Sequence, residues 1–420
     1  MHPRDLASLA VEETIFGGSA TEKLGRLQAE LEPLSRRYDV VAANPPYMGS
    51  KNMNKWLGDW AKTHYKDVKG DLFSCFMVRN VGMGAEHAQL GFMAPYVWMF
   101  IGTYEKLRKF VIQQNTITSL IQLEYSGFSG ATVPICTFTL QKGYCPGYRG
   151  GYVRLSDFVG ADQQAPRALE ALANPDCGWF YRADASGFEA IPGSPIAYWA
   201  SKKLLTHFKS DKPLSAYTEP RQGFATGDNN RFLRNWWEPS IAKSNLDGTL
   251  DKSKKWYPCN KGGGFRKWFG NNELVVNWAN DGIEIKSFGG SVIRNPQYYF
   301  RKGMTWGTIS SGKLSMRFSP KGFLFESKGS VCFPLNEDDL YIHLALANAC
   351  TAKPFLEILC PTLDFHEGPI GKIPAVLPSA NSTNNRNEIE SLVKDCIDTA
   401  KADWDAFELS FDFEKHPLLR

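Results

Sequence analysis

The residues Asn44-Pro45-Pro46-Tyr47 end the run Tyr38-Asp39-Val40-Val41-Ala42-Ala43, which reads as a short apolar strand. Their types suit one reaction. An exocyclic amine on a nucleobase is a poor nucleophile because its lone pair is delocalised into the ring. The carboxamide oxygen of Asn44 and the backbone carbonyl of Pro45 can each accept one N–H of such an amine. Two such bonds draw the nitrogen toward tetrahedral geometry and free the lone pair to attack a methyl group. Pro45 and Pro46 carry no competing N–H and hold the carbonyl stiffly. Tyr47 offers a flat face on which an extruded base can stack. No cysteine nucleophile is needed, which separates this chemistry from methylation at a ring carbon. Taken alone, the four residues fit an ordinary Pro-Pro turn after a strand equally well.

The elements that must position this loop read as α/β. Lys69-Gly70-Asp71-Leu72-Phe73 opens a helical stretch with apolar Phe73, Phe76, Met77, Val81 and Met83. Residues 90–96 form the next buried strand, 104–113 a helix, 117–123 a strand and 133–140 the last strand of the series. Strands alternating with helices imply a mainly parallel, doubly wound sheet, here a partial Rossmann-like one. In such sheets the crevice lies beyond the carboxyl ends of the strands, where Asn44 sits.

With Asp39-Val40-Val41 before it, the Asn-Pro-Pro-Tyr block resembles the catalytic motif of amino-methyltransferases acting on adenine N6. Relatives act on cytosine N4, ribosomal RNA guanine or a release-factor glutamine. Gly70-Asp71-Leu72-Phe73 is similar to the next block of that family, whose residues help line the methyl-donor pocket. The resemblance implies S-adenosylmethionine as cofactor, with Asp71 and Phe73 as its contacts; Phe73 fits plain helix core equally well. Phe128 is a candidate second stacking face, although a loop-anchoring aromatic is the simpler reading.

The donor site of such an enzyme needs a glycine-rich loop and an acidic strand end for the ribose. The residues before Asn44 hold neither, and 1–35 read as a helical lead-in. The expectation is a chain that keeps the target-base half of the site. A missing N-terminal portion, or a partner polypeptide, would then cover the apolar edge 40–43.

Charge is unevenly placed. The net charge is +4, yet residues 201–330 hold 22 Lys+Arg against 10 Asp+Glu, leaving −8 for the rest. So basic a segment is an electrostatic footprint for a polyanion. Paired aromatics run through it (Trp236-Trp237, Trp256-Tyr257, Trp268-Phe269, Tyr298-Tyr299-Phe300), most of them read as core. The run 222–232 resembles the opening of target-recognition domains fused to adenine methyltransferases. Runs 260–268, 277–282, 299–306 and 403–418 resemble the adenine methyltransferase of bacteriophage-exclusion (phage growth limitation) systems, over nearly the whole chain but only the middle of that family. The resemblance implies double-stranded DNA as partner, other defence-system proteins beside it, and Thr226, Asn229, Arg231, Lys261, Arg266, Lys267, Arg301 and Lys302 on the DNA. The triplet Gly262-Gly263-Gly264 reads as a basic loop touching DNA backbone, with a plain connector close behind.

Other classes drop out. The nine cysteines show no C-x-x-C spacing, and the seven histidines are scattered, so neither a metal site nor a disulfide framework is expected. No long apolar span or signal peptide is present, so the chain reads as cytoplasmic with no membrane partner. The expected plan is a lead-in at 1–35, a partial catalytic domain at 36–145, a linker at 146–195, a strand-rich recognition domain at 196–378 and an amphipathic helix at 386–412. The competing reading is a non-catalytic DNA-recognition module or decayed remnant. A release-factor glutamine methyltransferase is disfavoured by the long basic segment.

Overall fold

The structure, a computed structural model, describes residues 18–127, 133–310, 313–361, 364–377 and 383–419. Phe128 lies outside the described residues. The chain forms two units, Met1–Ser201 and Lys202–Arg420.

The first unit runs α1 (Gly18–Ser35), β1 (Tyr38–Ala43), α2 (Lys55–His64), α3 (Leu72–Met83), β2 (Gly84–Pro95), α4 (Glu105–Gln114), β3 (Asn115–Gln122), β4 (Ile135–Lys142), β5 (Arg149–Arg154), α5 (Ala161–Ala173) and β6 (Phe180–Asp184). Short polar caps start two of the helices. The Asn54 side chain accepts from the Leu57 N–H ahead of α2, and the Asp71 carboxylate accepts from the Phe73 N–H ahead of α3. Each satisfies a donor that helix geometry leaves unpaired.

The strands form one mixed sheet in the order β1-β2-β4-β3-β5-β6. β1 with β2 and β3 with β5 are parallel, whereas β2 with β4, β4 with β3 and β5 with β6 are antiparallel. The expected α/β class holds, but the mainly parallel sheet does not. β4 returns antiparallel between β2 and β3, an insertion that the alternation of strands and helices cannot reveal.

One register row carries the core to the loop. Ala43 faces Phe92, Phe92 faces Phe138, Phe138 faces Leu120, and Leu120 faces Tyr152. Phe92, Phe138, Leu120 and Tyr152 are 2% exposed or less. Each such side chain contributes about 1.5–3 kcal/mol by burial. The row ends at Ala43, so the residue before Asn44 is fixed by the sheet. β1 itself is the edge strand among the described residues, with Val40 69% exposed.

Residues 146–195 are not the expected linker. They supply β5, α5 and β6 to the same sheet, and Tyr152 and Phe188 to its core. Buried Arg108 ties them down. Its Nε and Nη2 donate to Gly193 O at 2.9 and 2.7 Å, and its Nη1 to Trp98 O and Ile101 O. Ile196 and Tyr198 also pack in this core, so the second unit starts later than 196. The Gly, Ala and Pro content of the segment disguised a folded extension as a connector.

The second unit holds two four-stranded sheets. One has the order β13-β9-β10-β8, from Leu233–Asn235 (β8), Trp256–Asn260 (β9), Leu274–Asn277 (β10) and Leu324–Phe325 (β13). The other has the order β12-β11-β14-β7, from Thr218–Arg221 (β7), Gly303–Thr305 (β11), Arg317–Ser319 (β12) and Val331–Pro334 (β14). The last helix spans Thr383–Asp405 and buries Val393, Ile397 and Trp404 against a core that includes Leu340 and Leu344. Leu392, next to buried Val393, is 58% exposed. The helix stops short of the expected 412.

Candidate active site

Asn44 leaves the carboxyl end of β1 with an exposed side chain, Pro45 is buried, and Pro46 and Tyr47 are exposed. The Tyr47 hydroxyl lies 3.0 Å from Asn44 Oδ1 and 3.2 Å from Met93 O, at the end of β2. A phenol has one proton to donate, so these two acceptors compete for it. Partial burial raises the Tyr47 pKa, which keeps the hydroxyl a donor at neutral pH. The Tyr47 ring meets Phe73 edge-on with centroids 6.4 Å apart, and Phe73 packs on Tyr104 at 5.4 Å.

A short bridge fixes the far side of the loop. Gly49 pairs with Asp71, the Leu72 N–H donates to Met48 O at 3.0 Å, and the Ser50 N–H donates to Gly70 O at 3.0 Å. Asp71 Oδ1 accepts from the Met48 N–H at 2.9 Å and from the Phe73 N–H at 3.2 Å. One carboxylate thus caps α3 and clamps the residue after Tyr47.

The two expected cofactor contacts are therefore occupied inside the protein. Asp71 is held by backbone donors, and Phe73 is 1% exposed beneath Tyr47. In this arrangement both residues brace the loop, Asp71 through one of its two carboxylate oxygens. Sequence reasoning missed Met93 and Tyr104: the first acts through its carbonyl, and the second meets Phe73 only in the folded state. Cys75 is close in sequence, but burial pushes its thiol to about 11, so no thiolate forms there near neutral pH.

In the second unit the basic candidates are largely spoken for. Arg231 pairs with Glu284 at 3.0 Å, Lys302 with Glu337 at 3.0 Å, and Arg266 with Asp403 at 2.7 Å while lying over the Trp404 ring. Lys267 Nζ donates to Asn348 O at 2.6 Å. Thr226 is 3% exposed and donates to Asn229 Oδ1 at 2.6 Å, which removes its hydroxyl from the surface. Exposed Arg301 covers the Tyr298 and Phe333 rings, and Lys261 is half-buried. Ion pairs at partly exposed sites are worth only about 0–1 kcal/mol, so Arg231 and Lys302 can exchange a carboxylate for a phosphate. Trp256, Tyr257, Phe269, Tyr298 and Tyr299 are buried, as core aromatics should be, whereas Trp237 and Phe265 are exposed.

The glycine triplet is anchored rather than loose. Gly262 and Gly263 have φ of +99° and +108°, and a Cβ on Gly262 would meet Lys328 O at 2.9 Å. Arg317, buried below, donates to Gly262 O at 3.0 Å, and Asn271 Nδ2 donates to Gly264 O at 2.8 Å. Among the described residues no group of three or more His, Cys, Asp or Glu is arranged to hold a metal, and no helix is long and apolar enough to cross a membrane.

The Eco57I restriction-modification methylase family matches residues 18–128. The chain is 36% identical over 400 residues to the adenine-specific methyltransferase PglX of Lacticaseibacillus casei (strain Zhang), covering 92% of this chain and 33% of that protein. It is 35% identical over 420 residues to the adenine-specific methyltransferase BrxX of Escherichia coli O9:H4 (strain HS), covering 99% of this chain and 33% of that protein. The chain thus spans about a third of the length of these relatives. In fold it is similar to the Type IIL restriction-modification enzyme MmeI solved in complex with DNA, with TM-score 0.56, 10% identity, and coverage of 89% of this chain and 50% of that one. Over the third of their length that it spans, the chain is similar throughout to the adenine-specific methyltransferases PglX and BrxX.

Proposed function

We propose that this chain carries the target-base half of a site-specific DNA adenine-N6 methyltransferase that uses S-adenosylmethionine. The observation that carries this reading is the loop Asn44–Tyr47, which leaves a buried sheet row with its carboxamide exposed and its aromatic ring beside it. The choice of adenine rests on what the PglX and BrxX relatives are named for. DNA as partner is supported by the +12 excess over 201–330 and by a fold shared with MmeI, which was solved on DNA.

The residues present fit the acceptor better than the donor. Asp71 Oδ1 is taken by two backbone N–H groups and Phe73 is 1% exposed, so of these two residues only the second Asp71 oxygen remains for S-adenosylmethionine. When bound, that cofactor would supply an electrophilic methyl group and would keep the electron pair of the broken sulfur–methyl bond. Asn44 Oδ1 and Pro45 O accept the two amine protons of an extruded adenine, and the base lies on Tyr47. The polarised nitrogen then presents its lone pair to the methyl carbon. After transfer the nitrogen carries one surplus proton, which leaves toward the same two oxygens and on to water.

The edge of β1, with Val40 69% exposed, is where we place a covering strand, from a partner or from elsewhere in the gene product. A phage-exclusion role rests on likeness to PglX and BrxX alone. The nucleoside test is direct. We expect this chain to be inactive alone. Incubation of the complete gene product, or of this chain with the polypeptide that supplies the donor half, with S-adenosylmethionine and duplex DNA, followed by digestion and mass spectrometry, should yield N6-methyldeoxyadenosine. N4-methyldeoxycytidine instead, or a methylated glutamine in a release factor, would replace this substrate with another member of the same reaction class.

A further inference from the structure

A cavity of about 780 Å³ lies beside the loop in the first unit, walled by α2, by the segment leading to α3 and by the start of α4. Ser50 and Gly70 line it, and these same residues form the bridge that clamps the loop after Tyr47. The cavity and the candidate active site therefore share a wall.

Its chemistry is cationic. Six lysines line it, against Asp59, Asp67 and Glu105. Lys62 pairs with Asp59, Lys106 with Asp67, and Lys109 with Glu105, which accounts for all three carboxylates. Lys55, Lys66 and Lys69 are exposed and have no ion-pair partner among the described residues. Six ammonium groups against three carboxylates leave an excess of three positive charges around one concave space, with Lys66 also acting on Asp67, and an anion seated there would lower their mutual repulsion. On α2, next to Lys55, Trp56 stands 73% exposed, an aromatic face of the kind that stacks on nucleobases.

We infer that Lys55, Lys66 and Lys69 hold the phosphodiester backbone of the DNA strand whose base enters the Asn44 loop. The inference rests on the amino-methyl-transfer reading for the identity of that strand and deepens it by assigning the backbone contacts. Extruding a base swings its flanking phosphates out of the duplex line. A cationic cavity one bridge away from the stacking ring is placed to receive them, and would offset part of the unstacking cost of a few kcal/mol. The charge count drew attention to 201–330, whereas this cluster sits in residues 1–200, where 19 Lys+Arg are balanced by 19 Asp+Glu.

The test is the salt dependence of binding of a fluorescent adenine-containing duplex to the full chain. Each lysine–phosphate contact adds about 0.9 to the slope of log K against log salt. The triple variant Lys55→Ala, Lys66→Ala, Lys69→Ala should lower the slope by about 2–3, and the triple Lys→Arg variant should restore it. An unchanged slope in a triple-Ala variant with wild-type circular dichroism would overturn the inference. So would saturation of the lysine-dependent part by inorganic phosphate alone, which would assign the cavity to free phosphate. Failure of the methyl-transfer reading looks different: the lysine-dependent slope persists while no methyl group reaches DNA.

Discussion

The Tyr47 hydroxyl lies within hydrogen-bond reach of both Asn44 Oδ1, at 3.0 Å, and Met93 O, at 3.2 Å. Donation to Asn44 fixes the carboxamide oxygen and leaves its second lone pair for an incoming amine. Donation to Met93 releases it. The stacking ring and the polarising amide are thus one unit. Tyr47→Phe keeps the ring and removes the orienting bond, which is worth about 0.5–1.5 kcal/mol. Transfer should fall about 2–10-fold with DNA affinity unchanged, read as initial rates against a binding isotherm.

Asp71 joins the loop to α3 through the Met48 and Phe73 N–H groups. Asp71→Ala leaves both donors without this acceptor and removes a helix cap, a loss of about 1–2 kcal/mol. Thermal melting should show the loss, and transfer should fall with it. Asp71→Asn keeps an acceptor oxygen and should stay near wild type in both. An Asp71→Asn protein that is stable but has lost cofactor affinity would return Asp71 to the donor pocket.

Arg108 is 1% exposed, and burial lowers its pKa to about 10. Its guanidinium bonds three backbone carbonyls and holds Gly193 to α4. Arg108→Met strands those carbonyls and should destabilise the first unit by about 3 kcal/mol. Limited proteolysis should then cut within 185–195 before any site in the sheet.

What was legible in the sequence had a local cause. Val40 to Ala43, the apolar positions of α3 and the strand at 90–96 follow from periodicity, and the loop from the residue types themselves. What was hidden is non-local. No pattern in 135–142 states that β4 pairs with β2 through Phe138 and Phe92. Arg231, Arg266 and Lys302 read as free cations because their carboxylates, Glu284, Asp403 and Glu337, lie 53, 137 and 35 residues away. Asp71 and Phe73 carry a recognisable motif, but whether such residues face a ligand or a neighbouring loop is decided by packing.

His343 is 1% exposed, and neither ring nitrogen has a partner among the described residues. Burial lowers its pKa below the ordinary value. The folded state therefore favours neutral imidazole, and the unfolded state binds the proton more readily. The stability tied to this group is present above about pH 6.5 and is lost as pH falls through that value toward the lower folded pKa. His343→Leu should flatten the melting temperature of the second unit between pH 7 and 5. A variant that loses stability on acidification as steeply as wild type would show that another group sets the dependence.

The central claim is that Asn44 polarises an adenine amine. Cells expressing the gene product with Asn44 or with Asn44→Ala are compared by mass spectrometry of their digested DNA, with protein levels matched. N6-methyldeoxyadenosine is expected above background in the first and absent from the second, with DNA bound by both proteins. Equal methylation with Asn44→Ala would contradict it.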